Sequence, residues 1–430
     1  TYLGTKSDYS RTRFTLGNLG MAFNLYQGSG TLTSFTLGVG YSKLADFNTT
    51  SAAYGQGIDK SITDVLAEYM NGVPLSSLGH PDNDPYQPFR RADVGLWGGI
   101  LAYQTGILDP MSDAQDNKQY TVANNLATGS RTNPSMRNVN KGSIDEYSIS
   151  GGFNIQNILY LGFTIGIQDI LYRNDNYYAE TYDNNSLPLN GMNYIRSLHL
   201  DGTGVNFKFG AVVRPIENLR IGVAVHTPTL VSINEEYIEW MSADYKNTAR
   251  GELLDSPRSL NEYDINTPTR LLTGISYTLP GVGLITADYE RVWYNRMKLR
   301  NMGTENWDFQ QTINNEVSSF YQPANNFRVG IEATPAQNFY IRAGYANYGE
   351  CIATRDAFNN MSSINSYENY SAGLGFRFQN MYVDLAYIYT EYKYAPYTMF
   401  YYGDPDYVVN PGNVETKQSR NTITMSVGVR

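Results

Sequence analysis

The sequence predicts an all-β fold, a transmembrane antiparallel β-barrel. Two observations carry the prediction: apolar and polar residues alternate along most of the 430 residues, and short connections alternate with long ones. Successive side chains of a strand point to opposite faces, so alternation at period two indicates strands with one apolar face. A membrane barrel turns that face to lipid and sorts its connections into short turns at one end and long loops at the other.

The clearest hairpin covers residues 203–232. Val205, Phe207 and Phe209 point one way, and Asn206 and Lys208 point the other way. A turn over residues 215–218 reverses the chain, and the alternation resumes from Leu219. A soluble sandwich would bury the apolar face and a barrel would expose it to lipid, so this hairpin alone fits both folds.

The same pattern predicts thirteen strands along the chain. Their ranges are 10–25, 32–47, 144–156, 158–173, 192–214, 218–240, 262–279, 283–299, 324–335, 338–351, 365–378, 380–395 and 419–430. Within the first range, Phe14 and Leu16 alternate out of phase with Leu19 and Met21, which predicts a β-bulge at Gly17-Asn18.

The connections separate the barrel from the sandwich. Six short connections alternate with six long ones. The short connections are at residues 27–31, 156–157, 215–218, 280–283, 335–338 and 379–380, and the long ones are at 48–143, 174–191, 241–261, 300–323, 352–364 and 396–418. A Greek-key sandwich does not sort its loops in this way. In a bacterial outer membrane, the short turns would be periplasmic and the long loops extracellular.

Composition excludes other classes. No apolar run reaches the roughly 18 residues of a spanning helix. A net charge of -9 with a pI near 5.0 argues against nucleic acid as a partner. The single Cys351 excludes a multi-cysteine metal site, and no cofactor or metal is expected. The 37 tyrosines suit membrane–water interfaces, so outer-membrane lipid is an expected partner.

An odd number of strands predicts a missing one. With thirteen, the first and last strands run in the same direction and cannot pair as antiparallel neighbours, whereas single-chain bacterial barrels have even numbers. We therefore expect a single barrel over residues 1–430 with one further strand upstream of Thr1, which makes fourteen.

The long extracellular loop over residues 48–143 is expected to hold two short apolar helices. Helical spacing and a capping pattern predict one from Ser61, and a second apolar segment follows from Val94. The helices either pack on each other and cap the barrel or frame a groove for a hydrophobic ligand. The candidate substrate-binding residues are Ile62, Leu66, Tyr69, Leu96, Trp97, Ile100 and Leu101.

Several motifs resemble the FadL/TodX-type outer-membrane transport family, in its Bacteroidota-like branch. They are GTGVNFKFG at 202–210, Arg214-Pro215, LRIG at 219–222 and HTPT at 226–229. The resemblance implies a fourteen-stranded barrel, an N-terminal hatch that plugs the lumen, and uptake of small hydrophobic molecules such as long-chain fatty acids. The hatch with its Asn-Pro-Ala motif would precede Thr1, and the last strand stops at Arg430 without the usual terminal aromatic.

Charged residues are expected on the lumen face. They are Lys208, Arg220, Arg328, Arg342, Arg377, Asp288, Glu290, Glu332 and Asp384. One interpretation is a paired network that satisfies buried charge, and this is the favoured one. The other is an unpaired arginine that binds the carboxylate of a fatty acid.

No catalytic function is predicted. The three histidines, His80, His199 and His226, form no HExxH motif, and no Gly-x-Ser-x-Gly elbow occurs. The first hypothesis is a channel for uptake of small hydrophobic molecules. The alternative is a non-enzymatic barrel subunit of a larger outer-membrane complex for secretion or barrel assembly, with other outer-membrane proteins as partners.

Overall fold

The computed structural model describes residues 10–78, 84–122, 131–183, 188–246, 252–303, 306–353, 364–394, 397–404 and 407–429. Within these residues the main element is one antiparallel sheet of 18 strands, accompanied by three two-stranded sheets. The predicted all-β barrel fold is confirmed.

The strands are numbered in chain order. They are β1 (Asn18–Gln27), β2 (Leu32–Asp46), β3 (Thr49–Tyr54), β4 (Leu108–Pro110), β5 (Tyr120–Val122), β6 (Thr132–Ile155), β7 (Leu159–Tyr182), β8 (Leu189–Ile216), β9 (Leu219–His226), β10 (Leu230–Tyr245), β11 (Leu254–Asp255), β12 (Ser259–Asn266), β13 (Arg270–Leu279), β14 (Gly283–Trp293), β15 (Lys298–Arg300), β16 (Pro323–Ala336), β17 (Phe339–Tyr348), β18 (Ile364–Phe378), β19 (Met381–Tyr394), β20 (Tyr397–Thr398), β21 (Tyr402–Asp404), β22 (Tyr407–Val409), β23 (Asn413–Val414) and β24 (Lys417–Val429).

Several of these strands continue one another along the same line of the wall. The pairs β2–β3, β9–β10, β12–β13 and β14–β15 do so, and β11 extends the line of β12 beside β10. Among the described residues the wall therefore has thirteen positions, which run from β1 through β2, β6, β7, β8, β10, β13, β14, β16, β17, β18 and β19 to β24. This equals the number of strands predicted from the alternation.

The two faces of the wall differ in the way the alternation predicts. Phe207 and Phe209 are 43% and 55% exposed on the outer face, whereas Asn206, the residue before Phe207, is 3% exposed on the inner face. Large apolar side chains cover the outer face, and polar and small ones the inner face. This is the arrangement of a barrel that stands in lipid.

All six short connections lie where the sequence predicts them, at one end of the wall. The turn between β6 and β7 shows why so few residues suffice. Gln156 and Asn157 both adopt positive φ, at 53° and 57°. Two consecutive left-handed residues form the tight turn whose twist matches that of the flanking strands.

The strands of the opposite end reach further than predicted. β7 and β8 continue to Tyr182 and start at Leu189, so most of the expected loop over 174–191 is strand. Likewise β3 and β6 occupy both ends of the expected loop over 48–143. Beyond the lipid-facing stretch, the outer face of these strands no longer shows the apolar alternation. The backbone hydrogen bonds continue there because the inner face of the strands still packs against apolar side chains.

Four α-helices lie beyond the apolar part of the wall among the described residues. They are α1 (Ile62–Met70), α2 (Gln87–Arg90), α3 (Trp97–Gln104) and α4 (Trp307–Phe320). Short 3₁₀ turns cover Leu75–Ser77, Val94–Leu96 and Tyr294–Arg296. Helices α1 and α3 match the two that the sequence predicts. Helix α4, in the expected loop over 300–323, is not among the sequence predictions, although Phe309, Ile313, Val317 and Phe320 recur at helical spacing along it.

The predicted bulge at Gly17-Asn18 is wrong. Strand β1 begins at Asn18, and its register with β2 shifts between Asn24 and Tyr26 instead. The change of phase at Gly17 marks the start of the strand rather than an extra residue within it.

The two ends of the sheet approach each other. In the described residues, β1 pairs with β2 alone and β24 with β19 alone. Asp46 at the end of β2 nevertheless interacts electrostatically with Arg420 of β24, at the far edge of the sheet. The sheet therefore curls round on itself, and a further strand upstream of Thr1 stays a prediction.

The apolar outer face predicts a depth-dependent cost for a charge. Phe209→Arg places a guanidinium at the centre of the lipid-facing stretch of β8, and we expect the free energy of unfolding to fall by about 2–4 kcal/mol. Urea titration of the protein folded into lipid vesicles measures the change. The matched control is Asn193→Arg, on the same strand and also exposed but beyond the apolar stretch. Equal losses in the two variants would contradict the assignment of the faces.

Candidate functional site

The lumen face carries buried charge that is neutralised by cross-strand partners. Glu146 of β6 is 4% exposed and pairs with Lys208 of β8. Gln168 and Asn206 donate to its Oε2 from 3.0 and 3.2 Å. Glu146 was missed by the sequence prediction, although its position between Asp145 and the outward Tyr147 follows the same alternation. Its carboxylate is the centre of a network that joins three strands.

Further charge clusters lie on the lumen face of the strands from β13 to β19. Arg328 of β16 pairs with Glu290, whose second oxygen lies 3.7 Å from Arg270. Arg342 of β17 lies between two carboxylates: its Nε donates to Glu332 at 2.6 Å, and a second nitrogen donates to Asp384. Each of these two carboxylates therefore has a cationic partner, although the one positive charge of Arg342 faces two negative charges.

Six of the nine predicted lumen charges therefore lie in ion pairs, namely Lys208, Arg328, Arg342, Glu290, Glu332 and Asp384. Arg220, Arg377 and Asp288 have no ion pair among the described residues. Arg377 instead places its guanidinium 4.6 Å from the ring centre of Tyr340. A binding role for any of these residues stays a prediction.

The apolar residues at the long-loop end of the wall form one cluster, which we call the cap. It joins α1 and α3 to the inner face of β6, β7, β8 and β10 and to Tyr397, Met399, Phe400, Val409 and Val414. Of the predicted substrate-binding residues, Ile62, Leu66, Trp97, Ile100 and Leu101 are at most 6% exposed within it. Leu96 is half-buried and Tyr69 is 44% exposed, with its ring against Tyr402 at 5.6 Å. The cap brings five of these seven residues together, and Tyr69 contacts its edge at Tyr402. A binding role for all seven stays a prediction.

Trp97 shows how tightly the cap is packed. Its indole Nε1 donates to the backbone carbonyl of Phe89 at 3.3 Å, and the two rings meet edge to face at 5.9 Å. Gly98 and Gly99 follow it on α3, and a Cβ on Gly99 would collide with the side chain of Met70. The glycines therefore let α3 approach α1 closely.

One buried carboxylate attaches the cap to the wall. Glu180 of β7 is 1% exposed and accepts from the Ser61 hydroxyl at 2.5 Å and the Ile62 amide at 2.8 Å. The Tyr178 and Tyr182 hydroxyls also donate to it, at 2.5 and 3.1 Å. Burial raises the pKa of the Glu180 carboxyl, while the donors act in the opposite direction. A carboxylate at a helix N-terminus satisfies backbone amides that the helix leaves free and matches its dipole.

A polar layer lies directly beneath the cap. Arg196 of β8 and Glu239 of β10 face each other in register. The guanidinium donates to Asn176 at 3.0 Å and lies 5.2 Å from the ring centre of Tyr194, and Tyr237 donates to Glu239 at 2.5 Å. Burial raises the pKa of Glu239. This layer separates the apolar cap from the lumen below. It is not among the sequence predictions, although Arg196 and Glu239 both lie within predicted strands, 192–214 and 218–240.

The described residues offer no group of three or more histidine, cysteine, aspartate or glutamate side chains that could hold a metal ion. No helix in the described part of the chain has the length and apolar character needed to cross a membrane. His80, Asp82 and Asn83, which the sequence places in an acidic loop, lie outside the described residues.

No protein-family model and no curated protein sequence matches this chain. Solved structures do match it. A FadL homologue of Pseudomonas aeruginosa shares 14% identity over 69% of this chain and 74% of its own, with a TM-score of 0.42. The toluene transporter TbuX of Ralstonia pickettii shares 12% over 95% and 80%, with a TM-score of 0.41. The toluene transporter TodX of Pseudomonas putida shares 11% over 95% and 80%, with a TM-score of 0.40. These structures are of the FadL/TodX type that the sequence motifs resemble.

The attachment of the cap through Glu180 can be tested directly. Glu180→Ala removes the acceptor for the Ser61 hydroxyl and the Ile62 amide, and each buried donor left without a partner costs about 1–3 kcal/mol. We expect faster amide hydrogen exchange in α1 and earlier protease cleavage within residues 55–131, with the wall intact. Glu68→Ala, on the same helix at its partly exposed end, is the control. Equal exchange in both variants would contradict the role of Glu180.

Proposed function

We propose that the protein is an outer-membrane channel for the uptake of small hydrophobic molecules such as long-chain fatty acids. The observation that carries the proposal is the order of apolar and polar regions along the barrel axis. An apolar cap lies at the long-loop end, a polar layer lies beneath it, and a charge-paired lumen follows. Apolar side chains beyond the lipid region serve no purpose in membrane insertion, and they suit the capture of an apolar molecule from outside.

The proposed orientation puts the six short turns in the periplasm and the cap outside the cell. The proposal also includes two features that the family resemblance implies. One is a strand upstream of Thr1, which brings the wall to fourteen strands, and the other is an N-terminal hatch that fills the lumen. Inward glycines such as Gly210 and Gly222 carry no side chain into the lumen, and the space that this leaves supports a wall that surrounds a plug.

The second candidate is a non-enzymatic subunit of a larger outer-membrane secretion or assembly complex. The burial of Ile100 and Leu101, at 1% and 0% exposure, favours it. These side chains already contact other cap residues, so a ligand would have to open the cap before it could reach them.

A tryptophan reporter separates the two candidates. In a variant with Trp240, Trp293 and Trp307 replaced by Phe, the remaining Trp97 reports on the cap. We expect a dibrominated fatty acid to quench its fluorescence in lipid nanodiscs, because bromine quenches on contact, and we expect vesicles with the protein to take up the same fatty acid faster than empty ones.

The matched control keeps Trp240 and replaces Trp97, Trp293 and Trp307 by Phe, because Trp240 lies on β10 beyond the apolar stretch. Its fluorescence should not change with the fatty acid. An unquenched Trp97 together with uptake no faster than in empty vesicles would overturn the channel and leave the subunit candidate. A stoichiometric partner in detergent extracts of the native membrane would then support that candidate.

A further inference from the structure

Three tyrosines form a continuous row on the lumen side of the wall. Tyr348 of β17, Tyr367 of β18 and Tyr392 of β19 are direct cross-strand partners. Tyr348 and Tyr367 stack at 4.1 Å with 14° between their planes, and Tyr367 and Tyr392 follow at 5.6 Å and 38°. All three side chains are half-buried, so part of each ring faces the lumen. We call this set the tyrosine row.

An arginine lies at each end of the row. The guanidinium carbon of Arg328 is 5.3 Å from the ring centre of Tyr348, and that of Arg420 on β24 is 5.7 Å from the ring centre of Tyr392. The arrangement spans five neighbouring strands, or about 19 Å at the usual strand spacing. Each cation lies near the face of a ring, which is its favourable position.

The two arginines are not equivalent. Arg328 is paired with the buried Glu290. Arg420 has no ion pair among the described residues, and Asp46, with which it interacts electrostatically, is held by Arg13 at 3.2 Å and by Asn48 at 2.6 Å. Arg420 therefore keeps a guanidinium fork that can bind an anion beside an aromatic surface.

The same strands carry a second tyrosine row on the outer face. Tyr345, Tyr370 and Tyr389 are also cross-strand neighbours, with ring centres 5.2 and 6.4 Å apart. Tyr345 and Tyr370 both donate to Glu368, which is paired with Lys393. These outward rings suit the aromatic girdle of a membrane interface. No girdle is needed on the lumen side, so the tyrosine row requires another explanation.

We propose that the tyrosine row with Arg420 is a lumen binding site for small aromatic carboxylates. The ring of the ligand packs against Tyr367 and Tyr392, and its carboxylate accepts two hydrogen bonds from Arg420. The inference rests on the proposed uptake function and narrows its substrate class: a neutral hydrocarbon uses the rings alone, whereas an aromatic acid uses the rings and the free cation.

The test compares three ligands that separate the ring from the charge. Benzoate carries both, benzyl alcohol keeps the ring without the charge, and cyclohexanecarboxylate keeps the charge without the aromatic ring. Isothermal titration of the purified full chain in detergent is expected to show benzoate as the tightest of the three. Arg420→Gln should weaken benzoate by about tenfold or more and leave benzyl alcohol unchanged, because a charge-assisted bidentate contact is lost. Tyr392→Leu should remove the preference for benzoate over cyclohexanecarboxylate.

Two controls use the neighbouring residues. Tyr370→Leu removes a ring from the outer row of the same strand, and Arg377→Gln removes a lumen arginine that lies on the single ring of Tyr340. Neither should change benzoate affinity. Heat-modifiable migration in SDS gels verifies that each variant is folded. Arg420→Lys keeps the positive charge but not the two parallel donors of the guanidinium, so it should give an intermediate affinity for benzoate.

Other results would overturn the inference. They are an absence of benzoate binding to the wild-type protein at millimolar concentration, an equal loss in Tyr370→Leu, or tighter binding of glucose than of benzoate, which would assign the row to sugars. Vesicle uptake of a neutral fatty alcohol, measured separately, tests the channel itself. Uptake of the alcohol without benzoate binding defeats this inference alone, and benzoate binding without uptake defeats the channel alone.

Discussion

The rest of the structure depends on the need to pair every backbone amide and carbonyl where no water is present. Lipid offers these groups no partner, so a chain that crosses as strands must pair each of them with a neighbouring strand. Antiparallel pairing then fixes the alternation of side chains, with Phe207 and Phe209 outward and Asn206 inward. The same alternation brings Lys208 to Glu146 and Arg342 to Asp384 across strands that are distant in sequence.

Beyond the lipid, the ladder serves a different purpose. The outer face of the long strands meets water, while their inner face holds the cap. Glu180 and the Arg196–Glu239 pair lie on this part of the wall, and both bring ionisable groups into a dry region where hydrogen bonds must compensate burial. The wall thus changes from a structure that faces lipid to one that encloses a small globular core, with no interruption of its hydrogen bonds.

The parts of the fold that repeat were predictable, and the parts that depend on distant contacts were not. Period-two alternation around Phe209 and the turn at Gln156-Asn157 are local signals, so the strand count and the six turns follow from sequence. The extension of β7 to Tyr182 is not a local signal, because its inward residues are buried only by distant parts of the chain, namely α1, α3 and residues such as Phe400. Glu180 itself looks like any loop carboxylate until Ser61, more than a hundred positions earlier, is placed beside it.

The composition of the cap has a consequence for biogenesis. Its buried members come from both ends of the chain, from Ala53 to Val414, with Tyr178, Met192 and Met241 between them. Contacts of such large sequence separation form late, because long loops must close first. A partly inserted chain would therefore present these apolar side chains to the aqueous phase, where holdase chaperones and proteases recognise them. Burial of the cap marks the completed molecule, and its exposure would identify an unfinished one to cellular quality control.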